Sequence, residues 1–533
     1  MTSNSQVIIQ DIRADFEKMM KYVTGDQART ATADATERGL FKMLMEMGLK
    51  LLTLFFVMRS QNASRETLKT ADGNELYYHR DTKRRYVSIF GKLRFARPYF
   101  YARRLLGGKG KAGQIPLDAE LSLGDDCYSD LVREVSDYLG VYGVYHKSCD
   151  ILERLLGLNL STRVLQTNLG EDAADVSDYY AQKPGPEAGS EAEILVIQAD
   201  GKGVPMILAE VHRTPEETQT GKVRLGKGEK YGHKKEAIVT SVYSIEPFIR
   251  TPEQVVASYY DKISLSRPSK PQNKHLWATL DGKDAALSRL AAQVGSRVGD
   301  HIQHIIALCD GCPSLQIRIA KYFPDFTLIL DFIHANEYLW KVANALFGET
   351  NDQRFEWMRA RTLQLLSGKT KKLIAEFRTL AHLPWRAVPG KQPKLSKSKC
   401  AQLLMTANYF ERNLPFMDYP SYLSNGWPIA SGVIEGACRH FVKDRCELSG
   451  MRWLQSGAEN LLRLRAVAEN NDWDDYQNYR KQQRHLRLYG SLNSSPQSIE
   501  AQSLAPRRAS SATVVEPQLS NKSSAYCQMP LAT

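Results

Sequence analysis

The sequence predicts an α/β core, a mixed sheet flanked by helices, that carries an all-helical insertion and follows helical and hairpin modules. Three observations predict it. Apolar runs of strand length close on an acid at 193–200 (EILVIQAD), 304–310 (HIIALCD) and 326–331 (FTLILD). Between them, residues 284–298 (DAALSRLAAQVGSRV) space their apolar positions three and four apart, as an amphipathic helix does. Residues 348–428 stay helical, basic and aromatic in pattern, so they interrupt the core and add nothing to its sheet. The resulting division is 1–70, a helical module; 71–113, a basic hairpin and linker; 114–183, a helical module; 191–347, the first part of the core; 348–428, the insertion; 429–485, the final core helices; and 490–533, a tail.

A chain of 533 residues is long enough for about three to four units. Its 43% hydrophobic and 24% charged content is ordinary for a globular protein, whereas a net charge of +12 fits a polyanionic partner, nucleic acid or an anionic membrane surface. The eight cysteines (Cys127, Cys149, Cys309, Cys312, Cys400, Cys438, Cys446, Cys527) are scattered and suggest reduced thiols, hence the cytoplasm. Residues 40–58 are the most apolar stretch, but Lys42, Glu46 and Lys50 spoil a membrane span, and a buried amphipathic helix is expected instead. The first residues have neither a basic n-region nor a small-residue cleavage site, so no signal peptide is expected.

Residues 8–22 and 28–58 carry helical periodicity. From 76 to 101 the period shifts toward two on either side of Gly91, which suggests a hairpin. There Arg84, Arg85, Lys92, Arg94, Arg97, Arg103 and Arg104 interleave with aromatic residues, a pattern that suits a DNA backbone and equally a half-buried strand with a solvated basic face. Residues 146–156 (HKSCDILERLL) place Ile151, Leu152, Leu155 and Leu156 on one face. Gly157 breaks that helix, and Ser161 can cap a second, STRVLQTNLGEDA. The pair is a helix-turn-helix candidate offering Arg163, Gln166, Thr167 and Asn168 to DNA, and a plain helical hairpin has the same pattern.

Past the linker at 184–190, Asp200 closes the first apolar run and is followed by Gly201 and Gly203. Residues 204–213 can form a second strand and 236–245 a third. Between them 220–235 is a Gly-rich basic loop with Lys222, Arg224, Lys227, Lys230, Lys234 and Lys235, suited to phosphate or simply solvated. Asp310 and Asp331 close the next two runs, and His334 leads into a helix. Acids at the edge of an apolar core need a bound partner or a cleft, and three of them compete for two places. After the insertion, 431–442 (SGVIEGACRHFV) reads as a helix with Glu435 in its first turn and Arg439 and Val442 on the same side. Lys443, Arg445 and Arg452 follow, then Trp453, which with Trp340 reads as a core anchor. The lone CxxC of Cys309 and Cys312 reads as small hydrophobes at a strand end before it reads as a zinc pair.

Taken in order, QADGKGVPM (198–206), LCDGCPSL (308–315), LDFIHANEYLW (330–340), SGVIEGACRHFVKDR (431–445) and SGMRW (449–453) resemble the bacterial insertion-sequence transposases with an RNase H-like Asp-Asp-Glu core. The closer match is the Kra-named insertion-sequence group, distantly similar to Mutator-like transposases. The resemblance implies an RNase H-like mixed five-stranded sheet and a helix-turn-helix DNA-binding module. It also implies a catalytic, metal-binding triad of Asp200, Asp310 and Glu435, with Asp331 second choice and His334 and Arg439 in support. The family's order, an Asp-Gly pair ahead of a strand and then Asp-x-x-His, is what prefers Asp310 to Asp331. Some relatives carry cysteine pairs before the hairpin that suggest zinc, and this sequence lacks them.

The implied chemistry is metal-dependent DNA cleavage and strand transfer by 3′-hydroxyl attack. Charge grows on the entering and leaving oxygens, and two divalent ions about 4 Å apart can stabilise both. Two Mg²⁺ ions, or Mn²⁺, held by hard carboxylate oxygens are the expected cofactors. The implied partners are double-stranded DNA, as terminal inverted repeats and target, and further copies of the chain, at least a dimer on DNA, with no membrane. The implied setting is the bacterial cytoplasm, at the nucleoid when bound to DNA. Two other classes share these features: an RNase H-like structure-specific nuclease that cuts without joining, and a non-catalytic helix-turn-helix DNA-binding protein. The Ser-, Gln-, Ala- and Pro-rich tail after about residue 493 is expected to be disordered.

Overall fold

Each apolar run that closes on an acid is a strand of one sheet in the computed structural model, which describes residues 3–69, 75–102, 113–207, 234–266, 269–382 and 396–490. Readings of Arg103 and Arg104, of Lys222, Arg224, Lys227 and Lys230, and of the tail therefore lie outside the described residues.

The chain opens with an antiparallel helical hairpin, α1 (Ser3–Thr24) and α2 (Ala33–Asn62). Thr32 caps α2 by accepting from the Ala35 amide at 3.3 Å. Tyr22 donates to the Ala35 carbonyl at 3.0 Å, and Lys50 pairs with Asp15 at 2.6 Å. Next come β1 (Leu68–Lys69), β2 (Glu75–Ser88) and β3 (Gly91–Ala102), an antiparallel sheet whose tight turn sets Gly91 at φ +134°. The hairpin expected around Gly91 is present, and α2 packs on it through Phe56, stacked on Phe95 at 4.3 Å. The expected burial of 40–58 is corrected: Phe56 is buried, but Phe41, Leu44, Leu51 and Phe55 are about half exposed, because a two-helix hairpin lacks a third layer on that side. Two of the hairpin's basic residues are also structural, since Arg84 and Arg97 both bind Asp118 on the short helix α3 (Pro116–Glu120).

Helices α4 (Asp130–Tyr142), α5 (Tyr145–Leu156), α6 (Thr162–Asp172) and α7 (Val176–Gln182) follow. Gly157 ends α5 at φ +65° and Ser161 caps α6, accepting from the Val164 amide at 3.3 Å, as the sequence predicts. The core sheet comprises β4 (Ile194–Pro205), β5 (Lys234–Ile245), β6 (Gln272–Thr279), β7 (His304–Cys309) and β8 (Thr327–Leu330), in the order β6-β5-β4-β7-β8. Strand β5 is antiparallel to both of its neighbours, β4 and β6, and β7 and β8 run parallel to β4. Residues 204 and 205 belong to β4 and do not begin a new strand.

Alternation along β4 sorts its side chains to two faces. Leu195, Ile197 and Ala199 pack under α9 (Lys283–Gly295) and α10 (Pro313–Tyr322), while α8 (Pro252–Tyr260) contributes Val256 to the opposite layer. Ile194 and Val196 point into that opposite layer, with Leu308 and Ile329, beneath α11 (Phe332–Phe347) and the helices of the insertion: α12 (Gln353–Leu366), α13 (Thr370–His382), α14 (Lys397–Asn413) and α15 (Tyr419–Ser424). The chain then returns to the sheet as α16 (Gly432–Ala437), a π-helical segment Cys438–Lys443, α17 (Gln455–Glu469) and α18 (Trp473–Tyr489). Helices α4 to α7 share one buried cluster with α17, α18 and residues of β5 and β6, so the helical module at 114–183 is built into the core. No described helix is long and apolar enough to cross a membrane.

Candidate active site

Parallel pairing fixes where the three acids fall. The β4–β7 register ends at Gln198↔Leu308 and the β7–β8 register at Cys309↔Leu330. Carried one or two residues further, the same register sets Asp200, midway along β4 just past its last parallel pairing with β7, beside Asp310 and Asp331, the residues that follow β7 and β8; the expected strand end at Asp200 is thereby corrected, since β4 runs on to Pro205 against β5. Asp200 shares the face of Gln198, and Gln198 anchors the helix opposite: its Oε1 accepts from the Ile434 amide at 3.0 Å, while its Nε2 donates to the Tyr243 hydroxyl at 3.2 Å. That bond seats α16, which carries Glu435, against β4 two residues before Asp200. Residues more than two hundred positions apart meet there, because the Cys438 thiol donates to Asp200 Oδ2 at 3.3 Å. Cys438 opens the π-helical segment, a wider turn that is common at functional sites.

The acids differ in what they have left to offer. Asp331 is fully buried, and its oxygens accept from the Ile333 amide at 2.9 Å, the Ser431 amide at 3.4 Å and the Ser431 hydroxyl. It caps α11 and ties that helix to the start of α16. The Ser431 hydroxyl also lies 3.4 Å from Glu435 Oε1, so Asp331 positions Glu435 through Ser431. Burial pushes the Asp331 carboxyl above its ordinary range, opposed by Ser431 and the Ile333 amide. Asp200 and Asp310 are half-buried, and each accepts a local amide, Gly201 at 2.6 Å and Cys312 at 3.2 Å, which leaves further lone pairs on each carboxylate. Among the described residues no Lys or Arg forms an ion pair with Asp200, Asp310, Asp331 or Glu435.

Unneutralised carboxylates of this kind suit a cation. Asp331, His334 and Glu435 could hold a metal ion, their ligand atoms all lying within 4.8 Å of one another. Asp200 and Asp310 stand outside that set. His334 also approaches Glu337 at 3.5 Å, consistent with a held, structural ring.

Gly311 shows a contact that sequence reasoning missed. A Cβ there would come within 2.3 Å of the Tyr409 ring from the insertion. Tyr409 stacks on Tyr338 at 3.8 Å, and Arg412 donates to the Gly311 carbonyl at 2.7 Å. The insertion thus closes over the residue next to Asp310. Strand β6 was also not foreseen; Gln272–His275 is polar, and the apolar run Leu276–Ala278, buried with Thr279, is too short to read as a strand alone. The CxxC cysteines are small strand-end residues, as expected: the seven described cysteines are free thiols, and burial pushes Cys309 well above the ordinary thiol range.

Of the residues read as DNA contacts, Arg163 and Gln166 are exposed on α6, and Gln166 lines a groove of about 370 Å³ with Ser456, Gly457 and Asn460. Arg439, Lys443 and Arg452 are exposed, and no ion pair joins Arg439 to Glu435 among the described residues. Lys234 pairs with Glu447, and Lys235 donates to Gln455 Oε1 at 2.6 Å, so both tie β5 to the C-terminal helices. Two readings are corrected. Asn168 is buried at 4% exposure in the α6 interface. Arg445 is fully buried, donates to the Gly140 carbonyl at 2.8 Å and sits between the rings of Tyr145 and Trp453, where aromatic faces and a carbonyl replace water around the guanidinium. Trp453 is the core anchor expected, donating to the Cys446 carbonyl at 2.9 Å.

No protein-family model matches the chain, and no curated protein matches it.

Proposed function

We propose that the chain is a DNA transposase with an RNase H-like core, cutting DNA and joining 3′ ends to a target. The observation that carries this reading is the pair of acids on neighbouring strands, Asp200 within β4 and Asp310 just after β7, without a basic partner among the described residues and beside the helix that carries Glu435. The 3-2-1-4-5 strand order, with the first three strands antiparallel and the last two parallel to the first, supports it, as does the ordered motif set from QADGKG to SGMRW. The net charge of +12 suits a polyanionic substrate.

The donor set fits hard divalent cations: Asp200 and Asp310 are half-buried and Glu435 is exposed, and all three offer carboxylate oxygens. Bound there, such ions would supply stabilisation of charge on the entering and leaving oxygens of phosphoryl transfer. The protein's own part is positional. Gln198 fixes α16 against β4, Asp331 and Ser431 orient Glu435, and Cys438 steadies Asp200 without adding positive charge. The exposed Arg163, Gln166, Lys443 and Arg452 are the candidates for holding DNA.

The test uses end-labelled duplexes made from the DNA flanking the reading frame, with Mg²⁺ or Mn²⁺. Joined products are expected from the wild type and none from Asp200→Ala, with duplex binding retained. Cutting without joining would replace the transposase with a nuclease, and cleavage undiminished in Asp200→Ala would remove the acids from the chemistry.

A further inference from the structure

We infer that the N-terminal hairpin of α1 and α2 is the surface through which two copies of this chain associate, before and without DNA. Along α2, Phe41, Leu44, Gly48, Leu51 and Phe55 alternate three- and four-residue steps, the seam of a coiled coil, and its four large members are 46–53% exposed. At Gly48 the seam lacks a side chain, and Phe90 from the β2–β3 turn fills the gap: a Cβ at Gly48 would lie 2.6 Å from its ring. Phe90 remains 39% exposed and extends the same surface. On α1, Phe16, Met20 and Val23 are 37–53% exposed. At 100° per residue, both stripes turn in the same hand from the α1–α2 contact line, and in an antiparallel pair this brings them to one face.

The occupant follows from charge and area. Residues 3–62 hold seven acids and eight Lys and Arg residues, close to neutral in a chain of net charge +12, so this face is not shaped for a polyanion or an anionic bilayer. Eight large apolar side chains at these exposures offer on the order of 700 Å² per copy, or about 1,400 Å² for a pair, within the range of stable protein interfaces. A second identical hairpin supplies the missing layer and completes a four-helix arrangement. The inference does not depend on the chemistry proposed for the acids.

The experiment is light scattering of the full chain at micromolar concentration, without DNA or divalent metal. The wild type should run at twice the monomer mass and Leu44→Glu/Leu51→Glu at the monomer mass, a twofold fall, with an unchanged far-UV spectrum. Val7→Glu, half exposed on another side of α1, should stay dimeric. Phe41→Glu, far from the α2 contact with the β-hairpin, gives the same readout should the double variant fold poorly. A monomeric wild type, a double variant that stays dimeric, or dissociation by Val7→Glu would each overturn the inference. So would a monomeric wild type that binds phosphatidylserine vesicles through this face.

Discussion

The molecule contains two clusters of carboxylates, and they are neutralised in opposite ways. Where α4, α6 and α18 meet, arginines answer the acids: Arg133 binds Asp172 at 2.7 Å and Asp126 at 2.5 Å, Arg480 binds Asp172 at 2.5 Å, and Arg484 binds Asp130 at 2.9 Å. On the neighbouring strands β4 and β7, Asp200 and Asp310 are met by amides and a thiol, none of which brings charge. A buried acid left without a cation is unfavourable unless something else supplies one. The first cluster spends its charge on joining helices distant in sequence. The second keeps its charge unpaired among the described residues.

The sharpest way to break this contrast is Asp310→Asn. If Asp200 and Asp310 hold cations, the substitution should lower DNA cleavage by about a thousandfold or more, since it removes a metal ligand. It should also leave the melting temperature unchanged or raise it, because a repelling charge is removed from beside Asp200. Cleavage assays and a thermal melt on one preparation decide it, and a variant that is both active and destabilised would place Asp310 with the structural acids.

Arg480→Ala should do the reverse. Arg480 is 2% exposed and leaves Asp172 and Asp130 underpaired when removed, a loss of roughly 3–5 kcal/mol for a broken buried pair. Denaturant unfolding should show that loss, while the folded fraction cuts DNA at the wild-type rate.

The two clusters were unequally legible in the sequence. Asp200, Asp310 and Asp331 stood out because each ends an apolar run, a signal local to about eight residues. The tie between Asp331 and α16 was not local, because its partner Ser431 lies a hundred residues away. The arginine network left no trace, since Arg480 and Asp172 are 308 positions apart and each alone reads as a surface charge on a helix. Arg445 misled for the same reason, its basic neighbours suggesting a surface while Gly140, Tyr145 and Trp453 bury it. Helix ends such as Ser161 and Gly157 were legible because capping is settled within one turn.

Within the neutralised cluster, Asp137 gives a pH-dependent check. It is fully buried next to Asp172, and burial first, then the Asp172 charge, holds its carboxyl well above the ordinary 3.8. An acid whose folded value is raised contributes stability that is complete below about pH 4 and is lost as pH rises through the folded value. Asp172 is held below 3.8, so its own contribution is constant above that range. Asp137→Asn, which cannot ionise, should therefore gain on the wild type between pH 5 and pH 8 by up to about 1.4 kcal/mol per unit of pH. Parallel unfolding midpoints across that window would mean that Asp137 ionises freely and that the arginines neutralise it as well.

The smallest effect expected bears on how a carboxylate can be held without being neutralised. Cys438 is 5% exposed, and Asp200 together with burial pushes its thiol above the ordinary range, so it remains a neutral S–H donor to Asp200 Oδ2. Cys438→Ala removes one weak neutral bond, worth about 1 kcal/mol, and should slow cleavage at saturating DNA by about three- to tenfold with little change in stability. Cys438→Ser restores a donor at nearly the same place and should recover most of the rate. Cys438→Lys in the same assay would bring a charge beside Asp200 and should silence it, because an ammonium would take the place that the first cluster gives to arginine and that the proposed metal ion would fill here. If Ala, Ser and wild type cut alike, the Gly201 amide alone orients Asp200, and the thiol is there for packing.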